Sequence, residues 1–139
     1  MQVVLDKDAA DNGLASMLKD LIMQNVQTHP EKGKDLSALD GNIAIIANDI
    51  DVKLTMTCNK GDIVIHEGIK EPCKLMIETD SDSLLKLTAL KIKLSQWHHY
   101  FDKAGRETLG MLFNGKLKIN GLFKHPLMLI HLTRLFSVY

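Results

Sequence analysis

Between residues 50 and 59 the chain alternates without a break: Ile50, Val52, Leu54, Met56 and Cys58 are separated by Asp51, Lys53, Thr55, Thr57 and Asn59. A period of two puts the apolar set on one side of an extended chain and the polar set on the other, so the segment reads as a strand with one wet face. Such a strand needs paired neighbours for its backbone and a covering layer for its dry face. Asn59-Lys60-Gly61-Asp62 supplies turn chemistry, with a glycine able to take positive φ, and the alternation resumes over 63–67, which predicts a hairpin. Upstream, 42–48 is apolar on both alternating sets, Ile43 and Ile45 against Ala44 and Ile46, as a strand inside a sheet would be. Cys73, Leu75 and Ile77 oppose Lys74, Met76 and Glu78 in a fourth strand. Asn114-Gly115 turns the chain into a fifth, Lys116-Leu117-Lys118-Ile119-Asn120, which Gly121 ends.

Around these strands the period changes. Leu14, Met17, Leu18, Leu21, Ile22 and Val26 recur every three or four residues on one helical stripe that His29-Pro30 terminates. Leu36 and Leu39 share a short helical turn before Asp40-Gly41. Thr79-Asp80-Ser81-Asp82 can cap the free amides of a helix carrying Leu84, Leu85, Leu87, Thr88, Leu90 and Ile92, and acidic side chains favour the positive end of its dipole. Trp97, Tyr100, Phe101 and Ala104 fall on one face of a further helix, a brief helix follows over 106–113, and Pro126 suits the first turn of a closing one. The order predicts a single α+β domain over 1–139, with helices packed on one side of a five-stranded sheet.

Composition narrows the function. Seventeen basic residues balance seventeen acidic ones with no block of five or six like charges, which argues against nucleic acid as a partner. No apolar run has the length of a membrane span and the amino terminus lacks signal-peptide regions, so the chain reads as cytoplasmic, with membrane contact at most transient. Cys58 and Cys73 read as buried free thiols. His29, His66, His98, His99, His125 and His131 show no i, i+4 pair and the cysteines no two-residue spacing, so no metal and no cofactor is expected. A Gly-x-Ser-x-Gly elbow and a phosphate-cradling glycine loop are both missing, so the chain reads as no enzyme, with no catalytic residue.

The stretch Phe113-Asn114-Gly115-Lys116-Leu117-Lys118-Ile119-Asn120-Gly121 before an apolar helix, with Asp80-Ser81-Asp82-Ser83-Leu84-Leu85 opening an earlier one, resembles the sterol carrier protein 2 family. The resemblance runs over most of the chain, with 91–105 as a helical insertion. It implies a mixed five-stranded sheet covered by helices, with an apolar tunnel between the two layers for a fatty-acyl, sterol-like or isoprenoid ligand. It brings no catalytic residue, and some relatives are accessory proteins of isoprenoid quinone synthesis.

Within that frame the expected lining of the lipid cavity is Leu84, Leu87, Leu90, Trp97, Phe101, Met111, Phe113, Leu117, Ile119, Met128, Leu132, Leu135 and Phe136. Flexible Met in place of stiff aromatics suits a pocket that accommodates varied shapes. Lys116 and Lys118, on a wet strand face, are placed either to meet acidic head groups or to protect a sheet edge. In the last helix Leu127, Met128, Leu129, Leu132, Leu135, Phe136 and Val138 spread over about 200°, with Thr133, Arg134 and Ser137 on the remainder. That exceeds the stripe one core requires, so a bound lipid, a partner subunit or a membrane surface is expected to cover the excess, with neighbouring loops of the chain as the alternative. The alternative to a lipid carrier is a protein-interaction module, a homodimer or an enzyme accessory, that uses this helix.

Overall fold

The computed structural model describes residues 2–87, 118–121 and 124–136. Its centre is the predicted alternation. β3 (Val52–Asn59) pairs antiparallel with β2 (Asp40–Ala47) on one side and with β4 (Asp62–Glu67) on the other. Lys60 and Gly61 close the β3–β4 hairpin at positive φ, 47° and 120°, the geometry a two-residue hairpin loop requires. β5 (Leu75–Thr79) runs parallel to β2, and β6 (Lys118–Asn120) lies antiparallel beside β5.

One strand was not expected. Gln2–Leu5 forms β1, parallel to β4, which makes the sheet six-stranded in the order β1-β4-β3-β2-β5-β6 rather than five-stranded. Four residues without a local turn leave no period to read, and a parallel edge pairing depends on a partner some sixty positions away in sequence. The sheet is mixed, as expected.

Register decides the faces. Leu5, Ile65, Met56, Ile43 and Leu75 follow one another across the sheet, with Val3, Ile63 and Cys58 in the row to one side and Leu54, Ile45, Ile77 and Ile119 in the row to the other, and the side chains of these rows point to one side. Among the described residues, three helices meet that side: α1 (Gly13–Thr28), α2 (Gly33–Ala38) and α4 (Pro126–Phe136), with α3 (Ser81–Leu87) following β5. Leu18 and Ile22 of α1, Leu36 of α2, Leu84 of α3 and Leu132 and Leu135 of α4 join the strand residues in one buried cluster. Among the described residues, Phe136 is the one aromatic in this core.

The helix boundaries follow from caps. Asn12 Oδ1 accepts from the Ala15 amide at 3.1 Å to open α1, and Asp80 Oδ1 accepts from the Ser83 amide at 2.7 Å to open α3. Asp49 accepts from both the amide and the hydroxyl of Ser81, at 2.9 and 2.6 Å, which holds its carboxyl below the usual carboxylate range. The expected strand start at Ile50 moves to Val52, because Ile50 is half exposed and Asp51 takes φ 53° in the turn. Thr55, expected on the wet face, is fully buried: its hydroxyl donates to the Gly68 carbonyl at 2.7 Å and accepts from the Lys70 amide at 2.9 Å.

The wide apolar face of α4 is covered within the chain. Leu129, Ile130, Leu132, Leu135 and Phe136 are buried, α4 lies against α1 and α2, and among its described side chains Leu127 is the exposed large apolar one. Thr133, expected on the polar remainder, is buried with its hydroxyl donating to the Leu129 carbonyl at 2.8 Å. Asn25 of α1 donates to the Leu135 and Phe136 carbonyls at 2.9 and 3.0 Å, satisfying groups that the helix end leaves open.

The α2–α4 contact is electrostatic as well as apolar. Asp35, 3 % exposed, lies 2.7 Å from His131 Nδ1 and accepts from Arg134 Nε at 3.1 and 3.2 Å. Lys32 is buried beside them, and burial, partly offset by the Asp35 carboxylate, holds its ammonium below the usual lysine range. Removing the carboxylate from such a buried group is strongly destabilising, so Asp35→Ala is expected to lower unfolding free energy by about 3 kcal/mol in urea denaturation.

Candidate functional site

The loop after β4 builds the first wall of a groove. Gly68 and Lys70 are tied to Thr55 as above, Asn42 Nδ2 donates to the Lys70 carbonyl at 2.9 Å, and the Lys74 amide donates to the Asn42 carbonyl at 2.9 Å. These bonds lay Glu71, Pro72, Cys73 and Lys74 along the start of β2. The turn from β6 into α4 forms the opposite wall, where the His125 amide donates to the Gly121 carbonyl at 2.9 Å and the His125 carbonyl accepts from Leu129. Met76 lies between the walls, and together they enclose a groove of about 800 Å³, within the range of small-molecule sites.

Two glycines shape it. Gly121 has φ 90°, and a Cβ there would collide with the Lys74 carbonyl oxygen, so the residue that ends the Lys116-to-Gly121 motif is required by close backbone approach as well as by conformation. Gly41 has φ 120°, and a Cβ would sit 2.7 Å from Cδ of Lys74. Lys74 thus lies with its backbone against one glycine and its aliphatic stem across another.

By register Met76 alternates with the buried Leu75 and Ile77, so the groove opens on the face of the sheet turned away from the helical core. On the helix side a second cavity of about 360 Å³ lies between β1, α1 and α2, lined by Val3, Ile22, Met23, Val26, Gln27 and Leu36. Its lining is apolar except for Gln27. Met23, half exposed, and Met76 are therefore at cavities, whereas Met56 is a fully buried core filler.

The expected lipid-lining residues divide three ways. Leu84, Leu132, Leu135 and Phe136 belong to the helix-side core, with Ile119 and Met128 half-buried against it. Leu87 ends α3. Leu90, Trp97, Phe101, Met111, Phe113 and Leu117 lie outside the described residues, as do Lys116, the 91–105 insertion and the predicted 106–113 helix. None of those whose side chains are described, Leu84, Ile119, Met128, Leu132, Leu135 and Phe136, lines the groove or the crevice just described. Their periodic patterns mark apolar faces, whereas the groove's walls come from a loop and a turn that only the closed fold brings together. Lys118 is exposed on β6, at the sheet's edge.

Three of the described histidines, His29, His66 and His131, lie within ion-pair distance of carboxylates. His66 Nδ1 lies 2.8 Å from Asp6, which keeps that carboxyl below its ordinary value, and Asp8 completes a group whose ligand atoms all lie within 4.8 Å of one another. Residue types suited to a metal are thus gathered by the β1–β4 pairing, which helical spacing could not reveal. Asp8 already accepts from the Glu67 amide at 3.1 Å and faces Lys70 Nζ at 3.5 Å, so these groups are engaged within the protein. No described helix is long and apolar enough to cross a membrane.

Comparison with known proteins places the fold. No family model matches the sequence. No curated protein matches it either. Among solved structures, a UbiJ-SCP2 ubiquinone synthesis protein is similar with a TM-score of 0.57 at 12% identity, over 88% of this chain and 94% of that one. A crystal structure of sterol carrier protein 2 is similar with a TM-score of 0.52 at 14% identity, over 88% and 92%. The chain therefore has a sterol-carrier-type α+β fold, as the Gly115-to-Gly121 resemblance implied.

Two outcomes follow from the site's geometry. Gly121→Ala is expected to lose about 2 kcal/mol or more in urea denaturation, through positive φ and the clash with Lys74. Contrary to the expectation of two buried thiols, Cys73 is only half-buried, while Cys58 is buried and its thiol is pushed up to about 12, chiefly by that burial. Burial and then Glu71 also raise the Cys73 thiol. Iodoacetamide at neutral pH should label Cys73 slowly and leave Cys58 untouched until denaturant is added, as read by mass spectrometry.

Proposed function

We propose that this protein is a non-enzymatic lipid-binding carrier, holding a fatty-acyl, sterol-like or isoprenoid chain in the apolar layer between the sheet and its helices. The observation that carries this reading is the likeness, over 88% of the chain, to sterol carrier protein 2. Two features of the chain support it. The described core is almost wholly aliphatic, and a crevice between β1, α1 and α2 opens toward it with Met23 at its rim. Leu84, Ile119, Met128, Leu132, Leu135 and Phe136 line the chain-binding region in this proposal, joined by Leu87, Leu90, Trp97, Phe101, Met111, Phe113 and Leu117.

Burial of an alkyl chain is non-directional and scales with the area removed from water. Fatty acids of increasing length should therefore gain about 0.8 kcal/mol per buried methylene until the cavity is full. Isothermal titration of a chain-length series checks this. Absence of binding, or an affinity independent of length, would overturn it.

A second reading, an accessory module for an enzyme of isoprenoid quinone synthesis, is favoured by the likeness to a ubiquinone synthesis protein. In that case the docking surface is not the apolar face of α4, which the protein's own helices cover. Light scattering on the delipidated protein separates the two, since a monomer that takes up lipid supports the carrier and an obligate oligomer without lipid supports the module.

A further inference from the structure

The groove on the outer face of the sheet has a chemistry that the lipid reading does not use. Lys74 and Lys124 both line it, on opposite walls, and neither ammonium has an ion-pair partner among the described residues. His125 adds an imidazole to the second wall, and Glu71 is the one carboxylate among the described lining residues. The excess is therefore cationic, in a chain whose formal net charge is zero. Clustering of one sign in a concave site focuses the field and raises the local concentration of counter-ions.

The walls are built in advance. The Lys74 amide is bonded to Asn42, its carbonyl sits against Gly121, and its stem crosses Gly41, so the first cation stands on a fixed backbone. The Gly121–His125 backbone bond fixes the turn that carries Lys124. Walls already ordered lose little freedom when a ligand binds. Met76, Pro72 and the half-buried Cys73 add apolar surface beside the charges.

We infer that this groove is a binding site for an organic oxyanion, a carboxylate or phosphate borne on a small apolar body, with Lys74 and Lys124 as its charge partners. It is distinct from the helix-side region proposed for the lipid chain and does not depend on that proposal. The anion is supplied either by a lipid head group or by a free small acid, and the same chemistry serves both.

The test uses the full chain with octanoate, octanol, palmitate and inorganic phosphate as probes, read by isothermal titration and by protection of Cys73 from iodoacetamide. Octanoate is expected to bind at least about tenfold more tightly than octanol, since hydrogen bonds to charged groups are the strong ones, and to slow Cys73 alkylation. Lys124→Gln, at an exposed position, should weaken octanoate about tenfold and leave octanol unchanged. Lys74→Met, which keeps the stem over Gly41, should do the same. Palmitate protecting Cys73 better than octanoate assigns the anion to a lipid. Phosphate or octanoate protecting as well as palmitate assigns it to a free acid.

Equal affinity for octanoate and octanol, unchanged octanoate affinity in both lysine variants, or no protection of Cys73 by any anion would overturn the inference. Length-dependent lipid binding that leaves Cys73 fully reactive would sink the oxyanion site while sustaining the carrier. Lysine-dependent octanoate binding without length dependence would do the reverse.

Discussion

The apolar face shared by β2, β3 and β4 has to be covered, and most of the architecture answers that requirement. Ile43, Ile45, Leu54, Met56, Ile63 and Ile65 leave almost no surface to water, and among the described residues α1, α2, α3 and α4 supply the side chains clustered with them. The covering helices must also be held to one another. Asn25 satisfies the carbonyls at the end of α4, and the Asp35 carboxylate joins α2 to His131 and Arg134. Helix ends and charges in a dry layer are costly when unpartnered, so these polar contacts define how the helices seat while hydrophobic burial supplies the drive.

The opposite face of the sheet obeys a different logic. It is neither fully wet nor packed by helices among the described residues. The loop over 68–74 crosses it, tied to Thr55 and Asn42, and the β6–α4 turn approaches from the other side until Gly121 meets the Lys74 carbonyl. That contact joins the two walls of the groove, with Met76 between them. The two faces consequently offer different chemistry: an aliphatic layer with a narrow crevice on one, and a cationic concavity with a little apolar surface on the other.

Elements with strong periods were legible in the sequence to within a few residues. The β3–β4 hairpin follows from alternation and from a loop whose glycine tolerates positive φ, and α1 follows from its stripe and from the His29-Pro30 stop, while its Asn12 cap is seen in the fold. The interior character of β2 was legible because both of its alternating sets are apolar. β1 was not, since a four-residue strand that pairs parallel with β4 has no local signature. The wide apolar face of α4 was legible, but its partner was not. Periodicity measures how much surface a helix must bury and says nothing about which neighbour buries it. Likewise the groove combines strand residues of β2, β5 and β6 with loop and turn positions, brought together from three separate parts of the chain by strand pairing.

What the sequence determined by itself is local: where the backbone must be extended or helical, which face of each element is apolar, and which glycines can turn or admit close contact. These follow from side-chain spacing and backbone sterics acting over a few residues. What only the tertiary structure decided is juxtaposition. The addition of β1 to the sheet edge, the burial of α4 beneath α1 and α2, the gathering of Asp6, Asp8 and His66, and the placing of Lys74 against Gly121 and across from Lys124 all join distant segments. Their energies depend on contacts that do not exist until the chain has closed on itself, and no local pattern in the sequence records them.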